Sequence, residues 1–150
     1  EFRRVLFRSA LWRIWDDSLP KVMFVGLNPS TADETKDDPT IQRCVRFSRE
    51  WRYGGVYMLN LFAYRATKPE ELRKARDPVG PENNVTLKEY ARRAGMIVAC
   101  WGNHGALLGR HRQVTGILPR MLCFGITAGG EPRHPLYLRL DSTVSLMSEG

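Results

Sequence analysis

Short apolar runs that end in polar islands constrain this chain most. Val22 to Leu27 runs into Gly26-Leu27-Asn28-Pro29-Ser30, Val56 to Leu59 into Asn60, and Met96 to Trp101 into Gly102-Asn103-His104. A fourth run, Met121 to Phe124, precedes a loop that carries Arg133-His134-Pro135-Leu136. Such runs, short and β-branched at intervals, suit strands buried on both faces. In open α/β sheets ligands bind at the carboxyl ends of the strands, so four polar strand ends predict one shared pocket.

The segments between the runs read as helices. Asp38 before Pro39 predicts a helix start, with Asp38 as N-cap and the helix reaching about Trp51. Its inner side is Ile41, Cys44, Val45, Phe47 and Ser48. A short helix is expected from Lys68-Pro69-Glu70-Glu71 with Thr67 as its cap, and another over Val85 to Ala94. A further helix follows Gly102, is interrupted near Arg110 and resumes to Leu118. Ala10 to Trp15 alternates and reads as a half-buried N-terminal edge strand; the tail after Leu140 shows no pattern. Strands alternating with helices predict the α/β class: a three-layer αβα domain around a central, mostly parallel four-stranded sheet, plus that edge strand.

Residues 1–9 resemble a restriction site joined to a sequencing adapter, so they are expected to be an assembly scar on a truncated gene. Residues 10–150 are then one domain, long enough for a real core. The formal charge is +7. Without the three arginines and one glutamate of residues 1–9 it is +5, 20 cations against 15 carboxylates. A basic balance suits an anionic partner such as DNA or a nucleotide. Arg43, Arg46, Arg49 and Arg52 recur along one helix, either as a backbone-facing stripe or as a solvated face. No apolar run approaches the ~20 residues of a membrane span, and no signal peptide is evident, so a cytoplasmic protein without a membrane partner is expected. Cys44, Cys100 and Cys123 form no Cys-x-x-Cys and read as buried free thiols. No ligand set for a metal, no Gly-x-Ser-x-Gly elbow and no dinucleotide or P-loop fingerprint occurs, and no cofactor is expected.

The islands offer specific chemistry. Asn28, held extended by Pro29, can position a water or a sugar, or close an Asx-type turn. Asn60 can pair with the edge of a base, or satisfy loop backbone. Gly102 and Asn103 stand where a helix N-terminus would meet a phosphate, with His104 facing the pocket or capping the helix. His134, between Pro132 and Pro135, can donate to an anion developing on a leaving group, or lie solvated; Arg133 can meet a phosphate.

Gly26-Leu27-Asn28-Pro29, Met58-Leu59-Asn60, Val98-Ala99-Cys100-Trp101-Gly102 and Arg133-His134-Pro135 resemble, in order, motifs of the uracil-DNA glycosylase superfamily, in its mismatch-specific and single-strand-selective branches. Within it the chain is most similar to a bacterial and phage family, domain of unknown function 1643. That likeness rests on Leu27 to Asp33, Asp38-Pro39-Thr40-Ile41, Asn60 to Thr67, Gly80-Pro81-Glu82-Asn83, Trp101 to Gly105 and His134 to Leu138. The resemblance implies a uracil-DNA glycosylase-like fold. It also implies a nucleobase-handling protein that cleaves the N-glycosidic bond of a modified or mismatched pyrimidine. Asn28 and His134 would be catalytic, Asn60 and the small Ser30 would contact the base, and Gly102, Asn103 and Arg133 would hold phosphate. Leu136 replaces the superfamily's usual serine, and Ser30 to Thr40 contains no aromatic to stack on a base. Those departures leave a second expectation, a non-catalytic module that binds a nucleotide or modified base on the same fold.

Overall fold

A computed structural model describes residues 7–29 and 35–147. Among these residues six strands form one mixed sheet: β1 (Leu11–Ile14), β2 (Val22–Gly26), β3 (Gly55–Asn60), β4 (Met96–Ala99), β5 (Leu122–Cys123) and β6 (Ser145–Leu146), in the order β1-β3-β2-β4-β5-β6. The pairs β3·β2, β2·β4 and β4·β5 are parallel, while β1 and β6 pair antiparallel at the two edges. The sheet therefore has more strands than the four-plus-one expected. β6 arises from the tail that shows no sequence pattern.

Among the described residues, four α-helices accompany the sheet: α1 (Pro39–Glu50), α2 (Pro69–Lys74), α3 (Asn83–Arg93) and α4 (Arg110–Ile117). Successive residues of a strand face opposite sides. On one face Met23, Val25, Leu59 and Ala99 pack with Leu72 of α2, Leu87 of α3 and Val114 of α4. On the other, Val22, Phe24, Val56 and Val98 pack with Cys44 of α1. This two-sided burial is why the strands read as continuous apolar runs. Among the described residues, no helix is long and apolar enough to cross a membrane.

The α1 start is as the sequence predicts: Oδ1 of Asp38 accepts from the Ile41 N–H at 2.8 Å and Pro39 occupies the first turn. α2 differs. Its N-cap is Lys68, and Thr67 donates from Oγ1 to Glu71 Oε1 instead of capping. The segment after Gly102 is also not an α-helix. It is a 3-10 stretch, Asn103–Gly109, broken where Leu107 and Leu108 leave helical geometry, and α4 begins only after left-handed Gly109. The basic stripe divides by contact: Arg43 lies over the Phe47 ring and Arg49 over Trp15. Of the segment read as a scar, Phe7 bridges to Tyr64, and the Arg8 N–H donates to Ala63 O.

From β2 the chain runs to β3 on one side, then crosses to β4 on the other. The strand order thus reverses around β2, and the carboxyl ends of β2, β3 and β4 flank a crevice of the kind that holds ligands in open α/β sheets.

Candidate functional site

A cavity of about 350 Å³ occupies that crevice. Gly26, Leu27, Asn28 and Pro29 line it from β2, Met58 and Asn60 from β3, and Cys100 to His104 from β4. Asp38, Thr40 and Ile41 enter from the start of α1, and His134 from the late loop. Its size lies at the low end of small-molecule sites, about 300–1,000 Å³. Asn28, Asn60, Gly102, Asn103 and His134 all reach it. Arg133 does not: it is exposed, outside the lining, with its backbone N–H donated to Gly125 O. Ser30 lies outside the described residues.

Asn60 sits opposite Gly26 in the β2·β3 register. A Cβ on Gly26 would stand 2.9 Å from Asn60 Oδ1, so the glycine makes the room in which that amide lies. Among the described residues, nothing hydrogen-bonds the Asn60 side chain, which leaves its donors and acceptor to a ligand. Its backbone is held instead. Nδ2 of buried Asn83 donates to Asn60 O and Leu61 O, both at 3.0 Å. Arg110, 1% exposed, donates from Nε to Leu61 O at 2.7 Å and from its other nitrogens to Asn84 and Gln113. Burial lowers the Arg110 pKa to about 10, so it stays charged at neutral pH. These two side chains fix the end of β3, and sequence reasoning missed both. The Gly80-Pro81-Glu82-Asn83 motif is where Asn83 could have been found.

Asn28 is anchored differently. Nδ2 donates to Ala66 O at 2.7 Å and weakly to Pro29 O at 3.3 Å. The side chain thus ties β2 to the loop after β3. With nitrogen fixed by a carbonyl acceptor, Oδ1 is the remaining polar atom, and no described residue donates to it.

His134 is set in one tautomer. The Leu136 N–H donates to its Nδ1 at 3.2 Å, so a neutral ring carries its proton on Nε2. Although the residue is exposed at the mouth, crowding around the ring lowers its pKa by desolvation, with Asp38 partly opposing the shift. The side chain is therefore a neutral donor at the cavity.

The β4 end gives a poorer phosphate cradle than expected. The Gly102 N–H is donated to Pro132 O at 2.9 Å, and the 3-10 stretch lacks the aligned amides of an α-helix. Asn103 Oδ1 accepts from Thr127 Oγ1, holding the 127–131 loop. His104 is exposed at the rim and makes no cap bond. Trp101, 3% exposed, donates from Nε1 to Glu131 Oε1 at 2.8 Å.

Asp38 is the charged lining residue the sequence reading left as a cap alone. A helix that follows a parallel strand starts at the carboxyl end of the sheet, so its N-cap stands on the ligand side. Cys100 also lines the cavity, but burial pushes its thiol up to about 12 and removes it as a nucleophile. Among the described residues, no group of three or more His, Cys, Asp or Glu is placed to hold a metal ion.

No curated protein matches the chain, and no solved structure does. A family model described as protein of unknown function (DUF1643) matches residues 8–136, and the chain belongs to that family.

Proposed function

We propose that the cavity receives a nucleobase, as part of DNA or of a nucleotide, and cleaves its N-glycosidic bond. The observation that carries this reading is one juxtaposition. His134, whose Nδ1 is occupied so that Nε2 carries the donor proton, Asn60, whose side chain has no partner among the described residues, and Asn28, whose Oδ1 takes no bond from a described residue, line a single cavity at the strand-order switch. The resemblance of the islands to uracil-DNA glycosylase motifs points the same way.

The barrier in such a reaction is charge separation between an oxocarbenium-like sugar and an anionic base. Asn60 offers one acceptor and two donors to a base edge. His134 donates from Nε2 to the oxygen on which the base anion gathers charge; a neutral ring suffices. Asn28 Oδ1 accepts from a water and orients it toward the sugar. The hydrogen bond to Ala66 holds that amide before substrate arrives, so little reorganisation is needed.

Single-turnover incubation with oligonucleotides and nucleotides carrying uracil, thymine, mismatched and 5-substituted pyrimidines tests the proposal, with released base read by mass spectrometry. His134→Ala and Asn28→Ala should each slow release at least ~100-fold, the loss typical of one removed transition-state donor. Equal rates in wild type and both variants would eliminate the mechanism. Trp101 is the one aromatic lining residue among those described, apart from the histidines, and its engagement with Glu131 limits it as a stacking platform. That favours the binding-module reading, which predicts ligand-induced stabilisation with no base released.

A further inference from the structure

We infer that Asp38 is the proton acceptor for the attacking water. The inference rests on the function proposed above and adds a residue to it. Asp38 is 7% exposed and lines the cavity. Its Oδ1 is tied to the Ile41 N–H, in a backbone held extended (φ −105, ψ 173) ahead of Pro39. Oδ2 takes no hydrogen bond from any described residue. A carboxylate so buried, capped through one oxygen with the other taking no bond from a described residue, has an acceptor to offer a ligand or a water.

The attacking water must lose a proton, and such a group can accept it. An amide oxygen orients water but does not take its proton at neutral pH, so Asn28 cannot complete the step alone. The Cys100 thiol is held protonated by burial. His134 has Nδ1 occupied by the Leu136 N–H and presents only a donor. His104 is exposed at the rim. The negative charge of Asp38 favours the protonated forms of His134 and of the buried Cys44 thiol, and Arg8 also lines the cavity.

The step balances as a hydrolysis. The C1′–N bond breaks and its electron pair stays on the base, where the His134 Nε2–H stabilises the anion. The water oxygen bonds to C1′ as one of its protons passes to Asp38. The base then takes up a proton, and Asp38 returns its own to solvent. The same negative charge also faces the positive sugar of the transition state.

Asp38→Asn separates the two roles of this side chain. Asn caps a helix as well as Asp does, so the fold is retained while the proton acceptor is lost. Asp38→Ser, another good cap without a charge, is the second variant. The single-turnover rate of base release should fall about 10²–10⁴-fold in both, the usual worth of general base catalysis. The half-saturating substrate concentration should stay within about threefold, because a group acting on water leaves base reading to Asn60. Thermal melts verify that the variants fold. If wild type releases base and a folded variant matches its rate, the Asp38 assignment is overturned and the function stands. If the rate is kept and saturation weakens, Asp38 binds substrate and the assignment is likewise overturned. If wild type releases no base from any substrate, the proposed function fails and takes this inference with it.

Discussion

Gly26→Ala is the sharpest test of how the end of β2 serves the cavity. The new Cβ would stand 2.9 Å from Asn60 Oδ1, where ordinary contact begins at 3.4 Å, so the amide must shift by about half an ångström. An Asn side chain turned some 30° off its rotamer costs about 0.5–1.5 kcal/mol. Replacing glycine by alanine also restricts the unfolded chain, which offsets about 0.4–1 kcal/mol of that. Net stability should therefore change by less than about 1 kcal/mol in urea unfolding. Ligand recognition should suffer far more. A displaced Asn60 forfeits about two hydrogen bonds to a base edge, near 0.5–1.5 kcal/mol each, or roughly five- to 150-fold in affinity. Calorimetric titration with uridine, thymidine and deoxycytidine monophosphates measures it. Gly102→Ala is the counter-case. No described residue lies within 4 Å of its Cβ position, but φ +74 and ψ −172 are nearly glycine-only, so it should lose about 1–3 kcal/mol of stability. Wild-type affinity in Gly26→Ala, or a stability loss above ~3 kcal/mol, would refute the account of the Gly26–Asn60 pairing.

Other expectations follow from the same geometry. Nitrogen-detected NMR should show His134 as the Nε2–H tautomer, titrating below its usual 6.5. The unfolded chain then takes up this proton first, so the neutral ring's contribution to stability is present above pH 6.5 and declines as pH falls toward the folded midpoint; His134→Gln should flatten that slope, and a midpoint above 6.5 would contradict it. Gly105→Ala places a Cβ 1.9 Å from the Trp101 ring, which cannot yield, so a chemical melt should show a loss at or beyond the ~3 kcal/mol end of overpacking. Asn83→Ala leaves Asn60 O without its donor and should cost about 1–3 kcal/mol and weaken nucleotide binding; a purely structural role for Asn83 would leave binding in the folded fraction unchanged.

The interior of the sheet was legible because burial on both faces writes itself into the residues. Val22 to Val25 are fully buried, and alternate members enter different cores, so no polar side chain is tolerated there. β6 was illegible for the opposite reason. Ser145 and Leu146 are exposed, and their strand exists through backbone pairing of Leu146 with Leu122 and Ser145 with Cys123. Edge pairing of that kind demands almost nothing of side chains, so it leaves no periodicity to read. The expected fourth core strand shortened to Leu122–Cys123 because its parallel ladder with β4 registers only at Val98 and Leu122. The break at Leu107 and Leu108 was masked by good helix formers. Local propensity favours a helix there, and geometry outside that window overrides it.

The site divides along the same line. Asn28, Asn60 and His134 were visible because each is a polar residue placed where an apolar strand ends or where prolines fix a loop, and such placement needs a partner or a ligand. Arg133, by contrast, lies outside the cavity lining although its neighbour His134 is within it. Arg110 could not be read, since it acts on the Leu61 carbonyl from far along the chain, and Asn83, which holds the carbonyls of Asn60 and Leu61, was within reach only through its Gly80-Pro81-Glu82-Asn83 motif. Asp38 was hidden by having a sufficient local explanation. Capping accounts for one carboxylate oxygen and for the choice of residue, so the sequence carries no sign of the second oxygen. Only the topology, which starts α1 at the carboxyl end of β2, brings Asp38 to the cavity. Residues whose local duty is already satisfied are thus where a fold can hold a chemical group without advertising it, and Asp38→Asn, which keeps the local duty and deletes the other, separates the two.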